Sequence, residues 1–343
     1  ALAPTAVAAA ALAPVTALAL SFGDPGTEPF ALSTLLPLVA IELGAFAAAP
    51  AAAIRLRATI AVYTAVTVVA YAVPSAVGSN VARLGTVTAV PLAALLWWRR
   101  RPVMLALLAA PLLYVGWQAP VRDVAQTIGD PSVTAAYYRP LLRYLRAQPG
   151  VFRVEIPLTR THWEAWWVAR FVPLARGWER QLDIADNALF YRGRLTAAAY
   201  KAWLHRTAVR FVALPDAALD YSARAEARLI RHGLPYLRPV MRSAHWRVYA
   251  VAGATPIATG PAGLTAMGPD ALTLAARTPG VTVVRVRFSP YWWLTGPAAP
   301  GGCVAAQGPW TRIALRRPGR VRLVIRLAPA RIGTSSPRCV PDG

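Results

Sequence analysis

Arg99-Arg100-Arg101 followed by Pro102-Val103-Met104-Leu105-Ala106-Leu107-Leu108-Ala109-Ala110-Pro111-Leu112-Leu113-Tyr114-Val115-Gly116-Trp117 divides the chain into two chemistries. Before it, long apolar runs are broken only by short loops. After it, charges recur every few residues to the end. Three arginines between two apolar segments read as a cytoplasmic anchor, so the chain beyond the next crossing is expected on the opposite side of the membrane.

Working outward, the apolar half reads as five spans of roughly the 20 residues that a bilayer demands. They cover residues 1–20, 30–53, 58–74, 82–98 and 102–117. Prolines 4, 14, 37 and 50 fall within them, as transmembrane helices tolerate where neighbours satisfy the freed carbonyls. Arg55, Arg57 and the triple arginine alternate with loops 21–29 and 75–80, where Arg83 is the only nearby base. The positive-inside rule places the arginine loops in the cytoplasm and delivers Gln118 outside. Localisation follows: a multi-pass plasma-membrane protein with a large extracytoplasmic C-terminal domain.

Composition agrees. The 343 residues are 56% hydrophobic with formal charge +22, and mean hydropathy is +0.40. Six of the 37 basic residues and three of the 15 acidic ones precede Val121, so the later part carries the excess. Such a field suits anionic lipid headgroups, phosphorylated glycans or nucleic acid, or is simply a solvated arginine-rich surface. Nucleic acid is disfavoured, because the arginines are dispersed and the domain is tethered to a membrane. The chain lacks an initiator Met and a basic leader region, and reads as starting within a longer protein.

The expected fold is a membrane α-helical bundle of about five transmembrane helices (1–118), an extracytoplasmic α/β domain (119–252) and a C-terminal β-sandwich (253–343). In the α/β part, helices are predicted over 135–148, 162–171, 195–207 and 222–232, with strands over 152–157, 209–214, 236–241 and 246–251. Residues 252–280 read as a Gly/Pro-rich linker containing two short strands. Alternating strands follow at 281–288, 310–315 and 320–327, the last two joined as a hairpin by Arg317-Pro318-Gly319. Cys303 and Cys339 are expected to form a disulfide in an oxidising compartment, and no spacing suggests a metal site.

Chemistry-bearing motifs are sparse: no Walker loop, GxGxxG, GxSxG or HExxH occurs. Glu42 lies inside an apolar span, where an acid is a functional candidate facing a cavity or simply a buried neutral residue. Asp24 and Glu28 could serve as a base or metal ligands at the outer surface, or merely hydrate a loop. Asp183 and Asp186, beside Glu179, could bind a metal or sugar hydroxyls, or simply form a hydrated loop with local ion pairs. Trp163, Trp166 and Trp167 could stack on sugars, rest at the lipid interface or pack in the core. The four histidines are scattered and read as ordinary residues.

The loop Phe22-Gly23-Asp24-Pro25-Gly26-Thr27-Glu28-Pro29-Phe30, the loop Val77-Gly78-Ser79-Asn80, the segment from Leu189-Phe190-Tyr191 to Leu214, and Phe288-Ser289-Pro290-Tyr291-Trp292 followed by Cys303 carry a resemblance. Together with the span pattern, the chain resembles actinobacterial polytopic membrane proteins akin to GT-C glycosyltransferases and the YfhO-like family. The resemblance implies a polyprenyl-phosphate-linked sugar as donor, with no other cofactor, and membrane lipid, lipid-linked sugar or envelope glycan as partners. It also implies a catalytic carboxylate in a first external loop upstream of Ala1, so no catalytic residue carries over. The alternative is a non-enzymatic, membrane-anchored glycan- or lipid-binding protein, or a transport-associated one.

Overall fold

A computed structural model describes residues 2–21, 26–99 and 101–342. The helices are α1 (Leu2–Ser21), α2 (Leu32–Ala48), α3 (Ile54–Ala72), α4 (Ala82–Trp97), α5 (Pro102–Thr127), α6 (Ala135–Arg146), α7 (Glu164–Trp167), α8 (Arg180–Asp186), α9 (Ala197–Arg206) and α10 (Arg224–Arg231). The strands are β1 (Arg153–Glu155), β2 (Val209–Pro215), β3 (Leu237–Arg242), β4 (Trp246–Val251), β5 (Ala258–Thr259), β6 (Ala262–Met267), β7 (Ala271–Ala276), β8 (Gly280–Arg287), β9 (Trp292–Thr295), β10 (Cys303–Gln307), β11 (Trp310–Leu315), β12 (Gly319–Ile325) and β13 (Arg338–Cys339). They form two compact units.

The helical unit contains α2 to α5 and the distant α8. Three apolar stretches among the described residues, Ile54–Ala72, Gly78–Trp97 and Pro102–Thr127, are long enough to cross a membrane, and Leu32–Ala48 is shorter. Their large apolar side chains point outward; Leu95 is 84% exposed. One end of the unit is knit by loop contacts. Glu28 N donates to Ser75 O (2.9 Å), Ser79 Oγ donates to Glu28 Oε1 (3.2 Å), and Gln181 Nε2 of α8 donates to Ala76 O (3.0 Å). Gly78, at φ +38°, is a glycine for a steric reason as well: a Cβ there would strike the Glu28 carbonyl.

Two expectations shift here. The helix starting at Pro102 runs on through Gln118 to Thr127, carrying Arg122 and Asp123 on its last turns. The helix α1 groups with the β-rich unit, where Tyr291 Oη donates to Ser21 O (3.3 Å), while α2 to α5 pack together in the helical unit; of the five expected spans, three are long and apolar enough to cross a membrane among the described residues.

The β-rich unit is built on three sheets. The first has order β1-β2-β4-β3, with β1 parallel to β2 and the rest antiparallel. Residues Phe211 to Leu214 are all apolar because helices cover both faces. Phe211 and Ala213 join Tyr138, Leu141 and Leu145 of α6, while Val212 and Leu214 join Trp203 and Leu204 of α9 and Ile230 of α10. The predicted helix over 162–171 shrinks to the single turn α7, with His162 at φ +56°.

The other two sheets, β13-β10-β11-β8-β5 and β6-β7-β12-β9, share one core of Leu272, Leu274, Leu294, Val304, Ile313 and Leu323. In β12, Val321 and Leu323 point inward while Arg320 and Arg322 stay outside, the period-2 pattern of a half-buried strand. The stretch read as a linker supplies β6 and β7, both full members of the β6-β7-β12-β9 sheet. The Arg317-Pro318-Gly319 turn is no hairpin. It carries the chain from β11 in one sheet to β12 in the other, with Gly319 at φ +124° allowing the bend.

Cys303 and Cys339 face each other across β10 and β13 and are joined by a disulfide closing a separation of 36 residues. Replacing both with serine is expected to cost about 3 kcal/mol. The measurement is a lower denaturant midpoint for the β-rich unit, accompanied by proteolytic cleavage of the β13 tail; an unchanged midpoint and an intact tail would count against it.

Candidate functional site

The helical unit buries an acid in an apolar wall. Glu42 on α2 is 4% exposed; its Oε1 accepts from Thr67 Oγ1 of α3 (3.0 Å), and its Oε2 has no hydrogen-bond partner among the described residues. It lines a cavity of about 320 Å³ together with Leu38, Tyr63, Gly85, Leu92 and Trp97. A buried carboxyl oxygen with no donor calls for a proton or for a donor on a ligand.

The cavity wall is fixed by a second polar contact. Tyr63 Oη donates to Val81 O (2.6 Å) and accepts from Gly85 N (2.8 Å), pinning α3 to the start of α4. Gly85 makes this possible, since a Cβ there would press on Leu38 and on the Tyr63 hydroxyl. The site therefore combines an apolar lining with one half-satisfied carboxyl group.

The other sequence candidates are placed as follows. Asp24 lies outside the described residues. Glu28 is engaged in the loop staple with Ser79. Asp183 is buried on α8, where Asn187 Nδ2 donates to its Oδ1 (2.8 Å), and Asp186 is exposed one turn on. Trp163 and Trp167 stack at 6.5 Å and pack against the α6 side of the β-rich unit, with Trp167 Nε1 donating to Val133 O (3.1 Å). Trp166 alone of the three is exposed, with the Arg170 guanidinium 4.7 Å from its ring centre. The tryptophans and the aspartates belong to different units. Among the described residues, no group of three His, Cys, Asp or Glu side chains could hold a metal ion.

In the β-rich unit the fold gathers residues that the sequence scatters. Arg176, 2% exposed, lies 3.4 Å from Glu226 Oε2 and 3.9 Å from Glu155 Oε1, and its Nη2 donates to Ser222 Oγ (3.2 Å). Ser222 Oγ in turn donates to Asp220 Oδ1 (2.7 Å), and Tyr200 Oη donates to Glu226 Oε1 (2.7 Å). At the rim, His162 sits 3.8 Å from Asp220 and 3.5 Å from Glu164, whose carboxylate accepts from Thr159. Periodicity conceals this cluster: Arg153 and Glu155 alternate with Val154 and Ile156 like the solvent face of a half-buried strand, yet both are buried.

Burial holds the Tyr200 phenol well above its ordinary value, reinforced by the Glu226 and Glu155 carboxylates. Burial also pushes Tyr236 up to about 12. A phenol ionises to an anion, so the unfolded chain, titrating near 10, releases its proton first. The resulting stability is complete below pH 10 and drains away as pH climbs from 10 towards 12. Tyrosinate absorbance is expected to lag for these residues and then rise together with loss of circular dichroism. Smooth titration near pH 10 with the fold intact would contradict it. In the same network, Arg176→Gln should destabilise the β-rich unit by about 3–5 kcal/mol by stranding Glu155 and Glu226.

A scan against protein-family models finds none that matches this chain, and a search of curated proteins finds none that matches it either.

Proposed function

We propose that this chain belongs to a multi-pass membrane protein that handles a lipid-linked glycan at the outer face of the plasma membrane, in the manner of GT-C-type glycosyltransferases. The observation that carries the reading is Glu42: a buried, half-satisfied acid in an apolar cavity of lipid-chain character.

Several features support placement in a bilayer. The helices turn their apolar side chains outward, and a soluble protein rarely leaves so much apolar surface uncovered. Loops 26–31 and 73–81 meet at one end of the helical unit together with α8, a segment that follows α5 in sequence. Arg57 and Ala49 meet elsewhere, where Arg57 Nη1 donates to Ala49 O (3.2 Å). Loops that alternate in this way suit an arginine-rich cytoplasmic end and a glutamate-bearing outer end.

Its position along α2 supports a role for Glu42 within the membrane. It lies ten residues into α2 from Leu32, about 15 Å along the axis at 1.5 Å per residue. A sugar at the membrane surface is out of reach, so Glu42 serves the lipid-embedded part of a ligand and is not the base of a glycosyl transfer. At about 320 Å³ the apolar cavity has room for a few isoprene units of such a donor's chain. The same depth favours the second reading, a transport-associated protein in which Glu42 exchanges a proton at mid-membrane.

A photoreactive polyprenyl-phosphate probe in reconstituted membranes is expected to label α2 and α4, and Leu96→Trp, a substitution in the cavity lining that fills it, should remove most of the label. Unchanged labelling would reject the lipid assignment. For sidedness, an impermeant maleimide should modify Ser79→Cys from outside in intact cells and spare Arg101→Cys; the reverse pattern would invert the topology.

A further inference from the structure

Across the β3–β4 hairpin, Arg242 and Arg247 are paired directly opposite one another. Like charges in that position repel and destabilise the pair. Both are exposed, and neither has a carboxylate partner among the described residues. With Arg231 from the end of α10, they line a cavity of about 300 Å³ that also contains Ser243, His245 and Asp216.

We propose that this cavity binds the phosphoryl group of a phosphate ester. Three arginines line it against one carboxylate, and that carboxylate is already committed. Asp216 Oδ1 accepts from Tyr137 Oη (2.7 Å), and Oδ2 lies 2.9 Å from His245 Nδ1. A carboxylate only accepts, so Nδ1 donates to it, and His245 serves here to hold the Asp216 carboxylate in place. The imidazole is further held by stacking on Tyr137 at 4.7 Å. Ser243 Oγ is shielded from solvent and has no hydrogen-bond partner among the described residues, leaving a hydroxyl donor in the same cavity.

The donors come from a helix end, two facing strands and the turn between them. That spread matches a tetrahedral, doubly charged oxyanion better than a planar carboxylate, which one guanidinium fork satisfies. A bound phosphoryl group also relieves the repulsion between Arg242 and Arg247. The volume is at the small end of ligand pockets, enough for the ester's neighbouring atoms as well. This site stands independently of the Glu42 cavity, so failure of either reading leaves the other intact.

The test uses the full chain in nanodiscs of zwitterionic lipid, with glucose 1-phosphate as probe and line broadening of its phosphorus resonance as readout. Saturable broadening is expected, weakened about tenfold for each arginine lost in Arg242→Gln and Arg247→Gln and to a smaller degree in Ser243→Ala. Affinity unchanged in the double arginine variant would overturn the proposal, as would equal binding of glucose without its phosphate. Replacing part of the zwitterionic lipid with phosphatidylglycerol separates the sources. Competition that vanishes in the arginine variant identifies a lipid headgroup, and absence of competition identifies a soluble ester; both outcomes support a phosphoryl site.

Discussion

The β-rich unit depends on a single buried guanidinium. Arg176 sits between Glu155 of β1 and Glu226 of α10, with its carbon 3.9 Å from the centre of the Phe190 ring. Neither carboxylate tolerates burial without a cation, and the desolvation cost of each ion is several kcal/mol even after relaxation. The arginine thus forces the segment after α7 to return beneath the sheet, because only there does it meet both acids. Ser222 and Tyr200 complete the hydrogen bonding from the neighbouring turn and from α9. Helices on one face of the sheet are placed by charge as much as by apolar packing.

A second buried arginine joins that layer to the sandwich. Arg153 donates to the carbonyls of Thr207 and of Arg285 on β8. Burial, with the nearby Arg287 charge, lowers it to about 10. Carbonyl oxygens rather than carboxylates hold it, so the contact fixes position without cancelling charge. The α/β layer and the sandwich accordingly act as one compact unit, although their strand patterns read as separate modules.

Periodicity made much of this architecture legible. The β2 run, the β3–β4 pair and the alternation in β8, β11 and β12 follow from side chains that point to opposite faces. What a local pattern cannot carry is which sheet a strand joins: residues 316–319 look the same whether the turn closes a hairpin or crosses the sandwich. Helix ends failed for a similar reason. Arg122 and Asp123 mark the end of apolar sequence, whereas the backbone hydrogen bonds of α5 continue to Thr127. Glu42 was legible because an acid in an apolar span stands out. Arg231, Arg242 and Arg247 were not, since they become neighbours only once β3 and β4 pair and α10 is laid beside them.

The dispersed arginines have a physical logic of their own. With 37 basic residues against 15 acids, most guanidiniums cannot find a carboxylate, and many lie over rings instead. Arg338 is 4.1 Å and Arg326 5.6 Å from the Trp293 centre, Arg287 is 5.3 Å from Trp310, and Arg210 is 5.2 Å from Phe152. An aromatic face orients a cation and leaves its charge undiminished. Desolvation, with Arg331 and Arg326 close by, even lowers Arg338 from its usual value, as expected of cations held together without a counter-ion. Such contacts tie part of the positive field to the folded surface. Screening limits its reach to about 8–10 Å, so the field acts most strongly in a concavity lined by several arginines, such as the one at the β3–β4 turn.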